Sequence, residues 1–116
     1  MNTSKTGSQA EQSAAEHLVH EGFEIVERNF KTPRCEIDII ARKSNCLYFV
    51  EVKYRSGIGQ GGGLDYVTNT KLRHMHRAAE IWLQTHRWTG TVTLSAIEVR
   101  ANFEVGNFIE SIAESM

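Results

Sequence analysis

Two tripeptides, Glu36-Ile37-Asp38 and Glu51-Val52-Lys53, constrain this chain more than any other feature. Along an extended strand the side chains alternate between faces, so residues two apart point the same way. Read as regular strands, Glu36 and Asp38 share one face, and Glu51 and Lys53 share one face of the next strand. Cys35, Ile37 and Ile39 then take the opposite face of the first strand, and Val50 and Val52 that of the second. Acids gathered beside a lysine in otherwise apolar strands are costly unless a metal or a partner neutralises them. Oxygen ligands for a hard divalent cation, with an ammonium alongside, suit metal-dependent phosphodiester cleavage.

The same residues could instead form a solvated hairpin face held by surface ion pairs of little worth. The approach to Glu51 argues against that. Leu47-Tyr48-Phe49-Val50 is a continuous apolar run that carries charge only at its end, as a central strand does and a solvated edge strand does not.

Around these strands the expected order is α-β-β-β-α-β-β. Ala10, Ala14, Ala15, Leu18 and Val19 recur at helical spacing, which predicts a helix over residues 8–21. Ser8 with Glu11 three residues on has the pattern of a capping box, and Gly22 fits the stop. Phe23 to Phe30 reads as a strand broken by Thr32-Pro33, and a turn through Lys43-Ser44-Asn45 joins the two acid-bearing strands. Gly57 to Gly63 is a glycine-rich loop. Lys71 to Gln84 forms a second helix with Leu72, Met75, Ala79 and Trp82 as its buried stripe. Thr91 to Arg100 and Phe103 to Ile112 supply the last strands. A chain of 116 residues with 41% hydrophobic content can bury one core. The expected organisation is a flexible N-terminus at 1–7 and one domain at 8–116.

The N-terminus is polar and no apolar run reaches the roughly 20 residues that span a bilayer. Cys35 and Cys46 lack metal-type spacing, so they read as reduced, buried thiols of a cytoplasmic protein, although they could face each other across the hairpin. The net charge of -1 conceals an asymmetry: between Arg28 and Arg77 stand ten Lys/Arg against four acids. Local charge sets attraction for a phosphate backbone, so the acid cluster lies within a basic portion of the chain.

Gly7-x-x-Ala10-Glu11, Arg28-Asn29-Phe30, Glu36-Ile37-Asp38-Ile39-Ile40-Ala41 and Phe49-Val50-Glu51-Val52-Lys53-Tyr54-Arg55 follow one another in register. Together, with Val67-Thr68, Lys71 and Leu72, they resemble the bacterial YraN-like family of uncharacterised proteins. The resemblance runs from about Gly7 to Val99. That family looks like a branch of the PD-(D/E)xK nuclease superfamily, close in fold to Holliday-junction resolvases. The implied fold is α/β and restriction-endonuclease-like, with a central mixed sheet flanked by helices. The chain departs from the family where Ala10 and Cys35 replace usual glycines and where Gln60 to Leu64 replaces a loop that usually carries an aromatic.

The resemblance and the charge layout together assign roles. Asp38 and Glu51 would bind Mg²⁺ or Mn²⁺, with the Val52 carbonyl as a third ligand by resemblance. Lys53 would orient the attacking water and offset developing charge. Glu11 matches a helical glutamate that points into the metal site of related nucleases, beside its local reading as a cap. Glu36 would hold a water or a basic residue near the metal, or pair with Arg34 or Lys53. Arg55, Lys71 and Arg73 are the candidate nucleic-acid contacts, Arg55 through its planar fork. Glu98 reads as structural, Trp82 as core and Trp88 as more open. His17, His20, His74, His76 and His86 lack the paired helical spacing of a zinc site.

Three function classes follow. The first is a metal-dependent endonuclease acting on DNA, branched or structured DNA by resemblance. The second is a non-catalytic nucleic-acid-binding module using the same basic face, and the third a partner-binding protein with a vestigial acid cluster. Carboxylates facing phosphates gain a pure binding module nothing, which favours the first. Resolvases act as dimers, so a homodimer is left open. Phe108, Ile109 and Ile112 are candidates for its surface or for the buried face of the last strand.

Overall fold

A computed structural model describes residues 3–55 and 66–112 of the chain. The glycine-rich loop expected at 57–63 lies outside the described residues. Seven elements follow the expected order: α1 (Thr3–His20), β1 (Glu24–Thr32), β2 (Cys35–Lys43), β3 (Cys46–Arg55), α2 (Asn69–His86), β4 (Thr91–Arg100) and β5 (Val105–Ile109). The architecture is α/β and restriction-endonuclease-like. The five strands form one sheet in the order β1-β2-β3-β4-β5. Successive pairs are antiparallel except β3 with β4, which run parallel and are joined through α2. A parallel pair needs such a crossover, whereas Ser44 and Asn45 suffice to join β2 to β3, with Ser44 in the left-handed region at φ 56°.

Alternation along β3 divides the core in two. Tyr48 and Val50 pack with Ala14, Ala15 and Leu18 of α1. Leu47 and Phe49 pack with Met75, Ala78, Ala79 and Trp82 of α2. Each face of the central strand is thus covered by one helix, as a strand apolar on both sides requires. Phe108 joins the α1 side and Ile112 the α2 side, so both serve the core of this chain.

Three expectations are corrected here. Helix α1 begins at Thr3, not Ser8, so Ser8 lies inside the helix and cannot cap it. The extension is anchored by Thr6, which is buried, and Gly7 has open space where a Cβ would point. Cys35 and Cys46 do not face each other: Cys35 opens β2 opposite Thr32, and Cys46 pairs with Lys43 at the other end of β2. Both are free and half-buried.

The third correction concerns the first acid-bearing strand. Cys35 and Ile37 pack toward α2, yet Ile39 and Ala41 pack toward α1. Strand β2 therefore changes faces between Ile37 and Ile39, and Ile37 does not share a side with Ile39. The register on β1 passes from Arg28 opposite Ile39 to Phe30 opposite Ile37. Between them stands Asn29 with φ 55°, a conformation that asparagine tolerates better than most residues. One left-handed residue turns both strands at the level of Asp38.

Candidate active site

That turn carries Asp38 into the protein. Strands β2 and β3 pair from Lys43 opposite Cys46 up to Ile39 opposite Val50, and no pair is formed beyond it. In the gap, the Asp38 Oδ2 accepts a hydrogen bond from the Val52 N–H at 2.7 Å. The side chain replaces a backbone carbonyl at the end of the ladder and satisfies a donor that the parting strands would strand. Asp38 is 8% exposed. Its carboxyl is pushed up to about 7, first by burial and next by the charge of Glu51; Glu11 and Glu36 add to this, against the lowering effect of the Val52 N–H.

Glu51 lies on the face of β3 that looks toward α2. Its Oε2 stands 3.0 Å from the Lys71 Nζ in the first turns of α2. Burial works against the Lys71 ammonium, but the bond to Glu51 and the nearby acids outweigh it and raise its pKa. Thr68 caps the start of α2 by accepting from the Lys71 N–H at 3.1 Å, which fixes the turn from which Lys71 reaches back. Glu11 approaches from α1, where its Oε1 accepts from the Asn29 Nδ2 at 2.9 Å. One residue on, Gln12 accepts from Arg28 at 2.8 Å. These bonds lock α1 to β1 beside the turned strand.

Lys53 follows Glu51 on the same face, with its Nζ 5.5 Å from the ring centroid of Tyr66. Arg55 lies over the same ring at 5.2 Å. Its guanidinium is also held by the Glu98 Oε2, through Nε at 3.2 Å and Nη2 at 3.0 Å, which gives Glu98 the structural role expected of it. The Tyr66 hydroxyl is buried without a hydrogen-bond partner among the described residues. Burial and the charge of Glu98 push that phenol up to about 12. Burial likewise raises the Cys35 thiol despite Lys71 beside it, so the sulfur stays protonated and is a poor nucleophile or ligand.

The fold therefore brings Asp38, Glu51, Glu11 and Lys71 together and sets Lys53 beside them. It does not do the same for all the expected residues. Glu36 pairs with Lys31 at 3.8 Å, because the change of face separates it from Asp38. Arg73 is exposed and its Nη2 donates to the Thr70 Oγ1 at 3.1 Å. Two contributors escaped the strand alternation: Asn29, signalled by the Arg28-Asn29-Phe30 motif and by a residue type suited to positive φ, and Tyr66, which precedes α2 without periodicity. Among the described residues, no three His, Cys, Asp or Glu side chains converge into a ready metal cage. Trp82 is core, its indole N–H donating to Glu27 at 3.0 Å, and Trp88 is half-buried under Arg42.

Comparison with known proteins places this arrangement. Residues 10–106 match the model of an uncharacterised protein family, UPF0102. The chain belongs to the UPF0102 family. This is the YraN-like family that the motifs resemble. A UPF0102 protein of Alkalilimnicola ehrlichii is 45% identical over 85 residues, covering 73% of this chain and 68% of the relative. One from Methylococcus capsulatus is 40% identical over 94 residues, covering 81% and 76%. One from Caldicellulosiruptor saccharolyticus is 40% identical over 87 residues, covering 75% and 74%. Every element of the site from Glu11 to Lys71 falls inside the residues that match the family. No helix among the described residues is long and apolar enough to cross a membrane.

Proposed function

We propose that this UPF0102 member is a metal-dependent endonuclease that hydrolyses phosphodiester bonds of DNA. The observation that carries the reading is Asp38: a carboxyl at the open end of a sheet, held by a backbone N–H, whose pKa is raised by its burial and next by the charge of Glu51. A protein gains no stability from crowding acids in this way, and a divalent cation relieves the crowding. Asp38 and Glu51 supply hard oxygen donors suited to Mg²⁺ or Mn²⁺, and the Val52 carbonyl is the expected third. Two carboxylates plus a backbone oxygen leave positions for water and phosphate, in keeping with a site that is not a closed cage. When bound, the ion would supply Lewis acidity toward a phosphate oxygen and a more acidic water.

The chain's own groups do the rest. Glu11, fixed by Asn29, lies where it can accept a proton from a water or order one. Lys53 brings a cation to the same face and can offset charge on the phosphorane-like transition state. Lys71 holds Glu51 while the cation is absent and can turn to a phosphate once the carboxylate is engaged. Arg55, clamped by Glu98, keeps a positive field beside Lys53. The chemistry is that of hydrolysis, with DNA as substrate and branched DNA suggested by the likeness to resolvases.

The test is cleavage of labelled linear, flapped and four-way-junction DNA with Mg²⁺ or Mn²⁺. Wild type runs beside Asp38→Asn and Lys53→Ala. Metal-dependent cutting abolished in both variants supports the enzyme. Salt-sensitive binding without cutting by folded, metal-supplied wild type would instead favour a non-catalytic nucleic-acid-binding module.

A further inference from the structure

A groove of about 290 Å³ opens between the β1–β2 turn and α2, lined by Thr32, Pro33, Arg34, His74, Arg77 and Ile81. Its rim is cationic: Arg34 is exposed on the turn, and Arg77 is exposed on α2 with only a 3.7 Å contact to Glu80. Its apolar lining is Pro33 and Ile81, and no acid among the described residues lines it. The groove and the acid site both border α2, the groove through His74, Arg77 and Ile81 and the acid site through Lys71. Lys71, His74 and Arg77 are spaced three residues apart, so they succeed one another along one side of α2. Cys35, the residue after Arg34, senses the charges of Lys71, Glu51 and Asp38.

We propose that this groove is a second nucleic-acid subsite, which holds one unpaired nucleotide of the strand leaving the acid site. Its phosphate sits between Arg34 and Arg77, with His74 alongside, and its base lies on Pro33 and Ile81. The apolar lining selects a single-stranded flank over duplex, because a paired base is stacked within the helix and cannot reach it. The proposal rests on the reading that the acid cleft receives a phosphodiester strand, and it assigns that strand's direction of exit.

The experiment measures binding by fluorescence anisotropy in EDTA, so that no cleavage intervenes. The probes are a blunt DNA duplex and the same duplex with an oligo-dT tail. Wild type, the double variant Arg34→Ala/Arg77→Ala, and Ile81→Ser are compared after matched thermal melts establish folding. The account expects wild type to bind the tailed duplex more tightly than the blunt one. The double variant should lose about tenfold on the tailed probe, with a salt slope smaller by about 1, and far less on the blunt one. Ile81→Ser should narrow the preference for the tail with an unchanged salt slope. Equal binding of both probes by wild type, or equal loss on both in the double variant, overturns the subsite. Either result leaves the nuclease reading to its own cleavage assay, since these variants keep Asp38, Glu51 and Lys53.

Discussion

The Val52 N–H and the Asp38 Oδ2 meet at 2.7 Å where β2 and β3 cease to pair. This bond ties two strand ends together through an acid instead of a backbone carbonyl. It places one proposed ligand against the residue whose carbonyl is proposed as another. Asp38 is thus both a structural cap of the sheet and an ionisable group with a displaced pKa, and the two roles have separable consequences.

The first is pH-dependent stability. With its pKa at about 7 in the fold against 3.8 for an unperturbed aspartate, Asp38 binds its proton more tightly when folded. Folding stability is therefore fully favoured by this group below pH 4 and lost as pH rises toward 7, up to about 4 kcal/mol for a shift of this size. Thermal melts in EDTA should show Asp38→Asn more stable than wild type at pH 8, by a smaller margin at pH 5, and close to it below pH 4. An asparagine oxygen still accepts from Val52, so the cap survives. Equal stability at pH 8 would mean that burial does not strain the carboxylate.

Lys71 and a cation compete for Glu51. The 3.0 Å pair neutralises that carboxylate, so Lys71→Ala should tighten Mn²⁺ binding severalfold while weakening DNA binding. Calorimetric titration with Mn²⁺ and anisotropy with DNA check the two arms. Unchanged metal affinity would place Glu51 outside the site.

Arg55 and Glu98 form a half-buried pair with side chains 17% and 15% exposed. Glu98→Gln or Arg55→Met should each cost about 2 kcal/mol in urea unfolding, since either removes the charge-assisted bonds between the Arg55 Nε and Nη2 and the Glu98 Oε2 in a partly buried pair. The double variant should cost less than the two added together. Additive losses would show that the pair is not coupled.

Trp82 fastens α2 to β1 through its bond to Glu27 and lies on His86 with ring centroids 3.7 Å apart. Trp82→Phe keeps most of the apolar contact but strands the Glu27 carboxylate, a loss of about 1–2 kcal/mol. Chemical denaturation followed by circular dichroism reads it.

Much of this was legible in the residues. The element order, the buried stripe of α2, the stop at Gly22 and the shared face of Glu51 and Lys53 follow from periodicity and turn chemistry. The limits of such reading are equally specific. Strict alternation assigns Ile37 and Ile39 to one face, and a single left-handed residue on the neighbouring strand, Asn29, defeats it. The partner of Glu36 depends on that same turn. Helix α1 extends beyond Ser8 because tertiary burial of Thr6 outweighs a local capping pattern. Tyr66 comes to Lys53 and Arg55 through chain connections that no local pattern encodes.

The central claim is that the acids gathered around Asp38 form a divalent-metal centre. Binding of Mn²⁺ to the folded protein at pH 8, followed by electron paramagnetic resonance, tests it most directly. The account predicts one bound ion per chain, lost in Asp38→Asn and in Glu51→Gln, retained in Lys53→Ala, and weakened as pH falls below about 7, where Asp38 takes up its proton. Binding that persists in both acid variants, or no binding by the folded wild type, would contradict it.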